Sequence, residues 1–224
     1  MARVITLVLE ASTYAGSAAV IDGSRVVAER AVAMRGREHE ALMPAVAEVL
    51  ADAGVGPGAI ERVVCGAGPG SFTSLRIAGA IAKGLALAAV CPLVPVSSLA
   101  LVVASREPFA PGRYLAAIDA LRGEHYVALF EVGATGTLRG LGPELRVPSS
   151  EVLERAAAHD AVAVGPGREG SAHVDPRAAA AARLAELVDA TPAADLAGWE
   201  PAYGRLAEAQ VKWEAMHGRS LEVV

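Results

Sequence analysis

The chain has 224 residues, of which 53% are hydrophobic and 20% are charged, and its net charge at pH 7 is −5. This composition is typical of a globular protein with a substantial core, and it excludes a disordered chain. Proteins that bind nucleic acid tightly usually carry a basic face, and the sequence has no basic stripe, so we expect any contact with nucleic acid to be indirect.

Strands and helices alternate in the first half of the chain. Continuous aliphatic runs predict buried strands, and Asp22-Gly23 predicts a hairpin turn between the second and third strands. A helix with apolar residues at helical spacing ends at Gly54, and another begins at Ser71, which is placed to cap it. The predicted strands are residues 4–9, 17–21, 26–32, 62–65 and 93–96, and the predicted helices are 39–53, 71–89 and 98–105.

The pattern restarts after residues 108–112, PFAPG. A new strand ends in Asp119, and the first strand of the chain is likewise followed by an acid, Glu10. This similarity between the two halves is a weak internal repeat. We therefore predict a duplicated α/β fold of the actin, Hsp70 and sugar-kinase type (RNase H-like), with two mixed sheets flanked by helices; the alternative is a generic α/β fold. The predicted subdomains are 1–106 and 107–224; the second contains strands 113–119, 126–132 and 161–164, helices 152–157 and 177–188, and an amphipathic tail from Trp199.

The cysteines and the apolar segments indicate a cytoplasmic protein. Cys65 and Cys91 lie in apolar stretches without metal-binding spacing, where cysteine usually acts as a small hydrophobe. The first apolar run is too short for a signal peptide. The longest apolar region, residues 78–104, contains Lys83 and two prolines, and is predicted to be helix, turn and strand, not a membrane span.

The glycine-rich segment 66–77, GAGPGSFTSLRI, is the sharpest local motif. It is predicted to link a strand to a helix N-terminus, where backbone N–H groups and the helix dipole can bind an anion. The lysine of a phosphate-binding P-loop is missing, so the residues alone favour a tight turn that lets helix and sheet approach closely. The candidates for cofactor binding are Gly68, Gly70, Ser71 and Thr73.

The same segment carries a family resemblance. GPGSFTSLRI at 68–77 resembles the GPGSFTGLRIG signature of the TsaB (YeaZ) family. The sequence departs from the family pattern at Glu10, Ser74, Ala78 and Gly204. The family's backbone geometry and nucleotide contacts are therefore not assumed for this chain at these positions. Further similar segments follow in the family's order: REH at 37–39 with LMP at 42–44, KGLA at 83–86, PVSSL at 95–99, IDA at 118–120 with GE at 123–124, and Pro201, Tyr203, Arg205 and KW at 212–213.

The resemblance implies a non-catalytic role in tRNA modification. Members of this family bind TsaD, the catalytic paralogue, and the pair associates with the ATPase TsaE. Together they transfer a threonylcarbamoyl group to the adenosine next to the anticodon of tRNA. The resemblance implies no catalytic residue and no cofactor of the chain's own, although a nucleotide could sit at its junction with TsaD. It also implies a homodimer when TsaD is absent.

We expect the first two helices to form the partner interface, because both carry small and apolar side chains that allow close packing. The alternative is that these residues belong to the chain's own core. The residues expected in or beside the interface are His39, Leu42, Met43, Val46, Leu75, Arg76, Ala78 and Ala82.

Three other functions are weighed against this one. A metal site like that of the catalytic paralogue would need a histidine four residues after His39, where the chain has Met43. A small-molecule kinase or ATPase could use Glu10 and Asp119 to hold a metal-nucleotide, but Asp119 is not followed by the D-x-G turn that such enzymes have. A self-dimerising scaffold with another client remains the third alternative.

Overall fold

The computed structural model describes residues 4–35, 40–167, 170–204 and 216–217. The first half of the chain forms a five-stranded mixed sheet. Two tight turns give antiparallel pairs, whereas the later strands follow helices and run parallel to the first strand. The strands are β1 (Ile5–Glu10), β2 (Ala15–Asp22), β3 (Arg25–Ala33), β4 (Arg62–Gly66) and β5 (Leu93–Val96), in the order β3-β2-β1-β4-β5.

The second half repeats this arrangement in a six-stranded sheet. Its first strand again lies between an antiparallel and a parallel neighbour. Glu10 ends the first strand of one sheet and Asp119 ends the first strand of the other, which confirms the predicted repeat. The strands are β6 (Gly112–Asp119), β7 (Glu124–Val132), β8 (Leu138–Gly140), β9 (Leu145–Pro148), β10 (Val162–Gly165) and β11 (Ala172–His173), in the order β11-β10-β6-β7-β8, with β9 also paired to β7.

The helices and the two sheets form five layers, so the predicted fold class is confirmed. Two helices cover one face of the first sheet, a third lies between the sheets, and a fourth covers the far face of the second sheet. The α-helices are α1 (Leu42–Ala53), α2 (Phe72–Ala89), α3 (Ser98–Ala104), α4 (Val152–Ala158) and α5 (Ala185–Ala190).

Helix α3 is buried on every side. All seven of its residues are buried, and they share one hydrophobic core with residues of both sheets. Val8 and Val64 reach this core from the first sheet, and Tyr114 and Ile118 reach it from the second. The two halves of the chain are therefore joined by a common core, and each half also has a hydrophobic cluster of its own on the other face of its sheet.

The predicted helix 177–188 is wrong in form. The chain there forms a 3-10 helix, Ala178–Arg183, and the short α5, because tertiary hydrogen bonds compete with helical ones. The Ala178 N–H donates to Ser17 Oγ at 2.9 Å, and the Arg183 guanidinium donates to the Ala104 carbonyl at 2.9 Å. These contacts fasten the alanine-rich segment to β2 and to the end of α3.

The first sheet ends with β5 and the second begins with β6, but the chain later returns to the first half. The 3-10 helix Ala178–Arg183 packs between the sheets, and the Ala194 N–H donates to the Leu93 carbonyl at the edge of β5. The last part of the chain therefore belongs structurally to both halves. Residues 205–215 and 218–224 of the predicted amphipathic tail lie outside the described residues.

We predict that Leu101→Ala destabilises both halves together. Leu101 is 0% exposed at the centre of α3, and removing its side chain leaves a cavity that costs about 2–5 kcal/mol. Chemical denaturation followed by far-UV circular dichroism should show one transition at lower denaturant. Leu153→Ala, at an exposed position of α4, is the matched control and should change stability little. Two separate transitions would contradict the common core.

Candidate partner-binding surface

The turn between β4 and α2, residues 66–71, is closed by the chain's own atoms. The Ser71 N–H donates to the Ser12 carbonyl at 2.7 Å, and the Gly68 N–H donates to Ser98 Oγ at 3.2 Å. A Cβ on Gly70 would lie 2.1 Å from the Ser12 carbonyl oxygen, so this close approach requires glycine. Among the cofactor candidates, Gly68, Gly70 and Ser71 thus take part in the tight turn that the residues alone favoured, and Thr73 is exposed.

Ser71 occupies the N-cap position of α2, but not in the predicted way. Its hydroxyl makes no bond to the helix backbone and instead lies 3.0 Å from Ser74 Oγ. Ser74 stands where the family signature has glycine, and it is buried. This departure from the signature therefore supplies the hydrogen-bond partner that draws Ser71 away from capping.

Glu10 is a fully buried acid at the carboxyl end of β1. Its Oε1 accepts the Ser12 N–H at 2.6 Å, and its Oε2 accepts the Ser98 hydroxyl at 2.9 Å. Burial raises the pKa of Glu10 above its usual 4.5, and the hydrogen bonds from Ser12 and Ser98 oppose this with smaller effect. A Cβ on Gly66 would lie 1.8 Å from Oε2, so Gly66 leaves the space that the carboxyl group occupies.

Asp119, the counterpart of Glu10 in the second sheet, has different surroundings. It is exposed, and its Oδ1 accepts the Leu121 N–H at 2.7 Å within the turn between β6 and β7. Leu121 and Arg122 both have positive φ angles in that turn, 63° and 56°. The phosphotransferase alternative needs both acids to face a metal-nucleotide, and the burial of Glu10 argues against it.

The histidine considered for a metal site, His39, lies outside the described residues, and Met43 is exposed on α1. In the part of the chain that the structure describes, no three His, Cys, Asp or Glu side chains are grouped as a metal site. One histidine contact was not predicted: His125 Nδ1 lies 2.8 Å from Ser149 Oγ. These two residues are far apart in sequence, so no local motif could have indicated their pairing.

Five of the eight expected interface residues are buried. Four of their side chains fill the core between the two helices and the first sheet, and the fifth, Leu75, is enclosed beside Gly68 in the turn after β4. These placements agree with the alternative that the sequence left open, in which the residues belong to the chain's own core. Helical periodicity identified the face that packs most tightly, and the protein's own sheet already covers that face. The five residues, each 0% exposed, are Leu42, Val46, Leu75, Ala78 and Ala82.

The opposite sides of α1 and α2 are largely apolar, and their residues are exposed or, at Ile77 and Ile81, half-buried. Met43 is 41% exposed and Leu87 is 70% exposed. Arg76, also expected at the interface, is exposed near the start of α2. We call the apolar residues on these sides the outer face: Met43, Ala47, Ala51, Ile77, Ala80, Ile81, Gly84, Leu87 and Ala88.

The acids of α1 next to the outer face are paired with a neighbouring strand. Arg30 on β3 forms ion pairs with Glu48, at 3.5 Å, and with Asp52. These pairs draw both carboxylates towards β3 and away from α2. Contacts between such distant parts of the chain leave no local sequence signal, so sequence analysis missed them.

Helix α2 has the length and apolar content of a membrane span, alone among the described helices. This is weak evidence for a span, because a core helix packed on a sheet meets the same criteria. One side of α2 packs on the first sheet, and the other side contributes to the outer face. The side of α2 that packs on the first sheet is part of the protein core, and this packing accounts for much of its apolar character.

We predict that Glu10→Gln stabilises the protein at pH 8 and not at pH 4. Folding raises the pKa of Glu10 above its value of 4.5 in the unfolded chain. The stability that this shift contributes is therefore complete below pH 4.5, and it is lost as the pH rises through the pKa of the folded state. Glutamine resembles the protonated acid, and the gain at pH 8 should be about 1.4 kcal/mol for each pH unit between the two pKa values.

The measurement is urea unfolding of wild type and variant from pH 4 to pH 8. Glu154→Gln, which changes an exposed carboxylate on α4, is the control and should follow the wild-type curve. A Glu10→Gln curve that runs parallel to wild type at every pH would contradict a buried acid with a raised pKa.

Part of the chain is similar to the TsaD transferase. A family model described as TsaD: tRNA N6-adenosine threonylcarbamoyltransferase matches residues 33–173. The tRNA N6-adenosine threonylcarbamoyltransferase of Novosphingobium aromaticivorans is 30% identical over 68% of this chain, but only 50% of that protein is covered. The similarity to the transferase is therefore confined to about half of its length.

Similarity to TsaB proteins extends over nearly the whole chain. The Bacillus subtilis tRNA threonylcarbamoyladenosine biosynthesis protein TsaB is 30% identical over 92% of this chain and 96% of its own length. The Escherichia coli protein of that name is 39% identical over 53% of this chain and 52% of its own. The solved structure of YeaZ from Pseudomonas aeruginosa superposes with a TM-score of 0.77 at 29% identity, covering 89% of this chain and 99% of that one. The chain therefore belongs to the TsaB (YeaZ) family.

Proposed function

We propose that this chain is the non-catalytic TsaB subunit of the machinery that forms threonylcarbamoyladenosine next to the anticodon of tRNA. The observation that carries this proposal is the outer face, an exposed apolar surface on two adjacent helices. Its partner is TsaD, and the ATPase TsaE joins the pair. Contact with tRNA is made through TsaD, and the complex works in the cytoplasm.

The composition of the outer face suits helices as its partner. Alanine and glycine at positions such as Ala80 and Gly84 let a second helix approach closely, and Leu87 and Met43 supply larger apolar side chains to bury. A pair of helices from TsaD laid on α1 and α2 would form a four-helix arrangement. A second copy of this chain could cover the same face when TsaD is absent.

The surroundings of the strand-end acids support a non-catalytic role. Glu10 is held inside the protein by Ser12 and Ser98, and Asp119 is engaged by its own turn. Neither carboxyl group has the surroundings of an acid that holds a metal-nucleotide. A nucleotide, if the complex uses one at this subunit, would sit at the junction with TsaD and be held by both proteins.

We predict that Leu87→Glu weakens the complex with TsaD at least about tenfold, because a charge within an apolar contact must lose its water. Leu87 is 70% exposed, so the fold should tolerate the change and the melting temperature should be close to wild type. Isothermal titration of purified TsaD into each variant measures the affinity.

Leu153→Glu is the matched control, because Leu153 is 40% exposed on α4, on the far side of the second sheet. It should bind TsaD as wild type does. Equal affinity of the Leu87→Glu chain and wild type would remove the outer face from the TsaD interface.

A reconstitution tests the function itself. TsaD, TsaE, tRNA, ATP and threonylcarbamoyl-adenylate are incubated with and without this chain, and modified adenosine is measured. Modification that requires the chain, with no turnover by the chain alone, supports the proposal. Equal modification in its absence would reject it, and a chain that dimerises but does not bind TsaD would favour the scaffold alternative.

A further inference from the structure

The chain crosses back over α2 near its C-terminal end. After the Ala194 N–H bonds to the Leu93 carbonyl at β5, the chain continues to residues 199–204, which we call the strap. Trp199 packs with the core beneath α2, and the Lys83 ammonium lies 6.0 Å from the centre of its ring. The strap then follows α2 towards its N-terminus and reaches the turn between β4 and α2.

Two glycines make room for the strap. A Cβ on Gly79, inside α2, would lie 3.1 Å from Pro201 Cγ. A Cβ on Gly68 would lie 2.3 Å from the Ala202 carbonyl oxygen, and the Ala202 N–H donates to the Ala67 carbonyl at 2.7 Å. Gly68 of the glycine-rich signature therefore leaves space that the strap occupies.

The strap also reaches the second sheet. The Tyr203 ring packs on Phe72 at the start of α2, with centroids 4.6 Å apart. The Tyr126 hydroxyl on β7 donates to the Tyr203 carbonyl at 3.4 Å. Gly204 has φ +68°, and a Cβ there would lie 2.5 Å from the Tyr126 ring, so this residue too is fitted closely to β7. Two successive residues thus join α2 to the second sheet.

The position of the strap is one where α/β proteins commonly hold a ligand. Strands β1, β4 and β5 are parallel, and Ala67 and Gly68 follow the carboxyl end of β4 directly. Ligands of open α/β sheets usually bind just beyond the carboxyl ends of such strands. Here Ala202 of the strap contacts that end of the sheet.

We propose that the strap is a clamp that fixes the second sheet against α2 and so holds the outer face in the orientation that TsaD binds. Phe72, Gly79 and Lys83 lie on one side of α2, at steps of seven and four residues, and the strap covers that side. The outer face lies on another side of the same helix and stays open. This inference rests on the proposed function, because it assigns the strap a positioning role in TsaD binding.

Two variants loosen the strap by different routes. Tyr203→Ala removes the ring that packs on Phe72, and Tyr203→Phe keeps that ring as the conservative control. Gly79→Leu places a side chain where Pro201 lies and favours the helix, so it displaces the strap without straining α2. In a Trp213→Phe background Trp199 is the remaining tryptophan, and its emission reports whether the strap is seated.

The clamp predicts three linked results for Tyr203→Ala and Gly79→Leu. Trp199 emission shifts to the red, and amide hydrogen exchange rises at both the first turns of α2 and β7 around Tyr126. Affinity for TsaD, measured by titration, falls about fivefold or more. Tyr203→Phe should match wild type in all three measurements.

Other outcomes overturn the clamp. A loosened strap with wild-type affinity for TsaD would remove the positioning role, and faster exchange in α2 without any change in β7 would remove the link between the halves. Unchanged Trp199 emission and affinity in both variants would show that these contacts do not hold the strap. If wild type itself does not bind TsaD, the proposed function fails, whereas the exchange measurement on the chain alone still decides whether the strap joins the halves.

Discussion

The burial of α3 between the two sheets is the constraint on which the other layers depend. A helix that is apolar on all sides must be covered on all sides, and the two halves of the chain each supply one covering sheet. The outer layers then follow, because each sheet has a second face that needs helices of its own. α1 and α2 cover one such face and α4 covers the other. The surface available to a partner is therefore set by the innermost helix.

Sequence patterns predicted β1, β2, β4 and β5 well, because continuous aliphatic runs mark buried strands. β5, for example, occupies the predicted residues Leu93–Val96. The strand β3 is exposed or half-buried, and it was predicted from the hairpin turn at Asp22-Gly23. The short strands β8, β9 and β11 were missed, since edge strands of two to four residues have little apolar signal. The alanine-rich segment was predicted as one helix, and its distant partners Ser17 and Ala104 prevented that. The same limit applies to the outer face, because periodicity reveals a packed side of a helix but not which neighbour packs there.

The duplicated acids show how two halves of one ancestral pattern can diverge. Glu10 and Asp119 hold equivalent places in their sheets, yet one is enclosed with a raised pKa and the other lies in an exposed turn. Glu10 now joins the turn after β1, the start of α3 and, through Ser98, the turn after β4. Glu10 is thus part of the framework that positions the turn before α2.

The small side chains of the outer face have a consequence for the entropy of association. Alanine and glycine have no side-chain rotamers to lose, so covering Ala47, Ala80 or Gly84 immobilises nothing beyond the two proteins themselves. Only Met43 and a few branched residues must be ordered when a partner arrives. Such a surface has few side chains to immobilise on contact, so a partner that covers it would pay a small entropic cost.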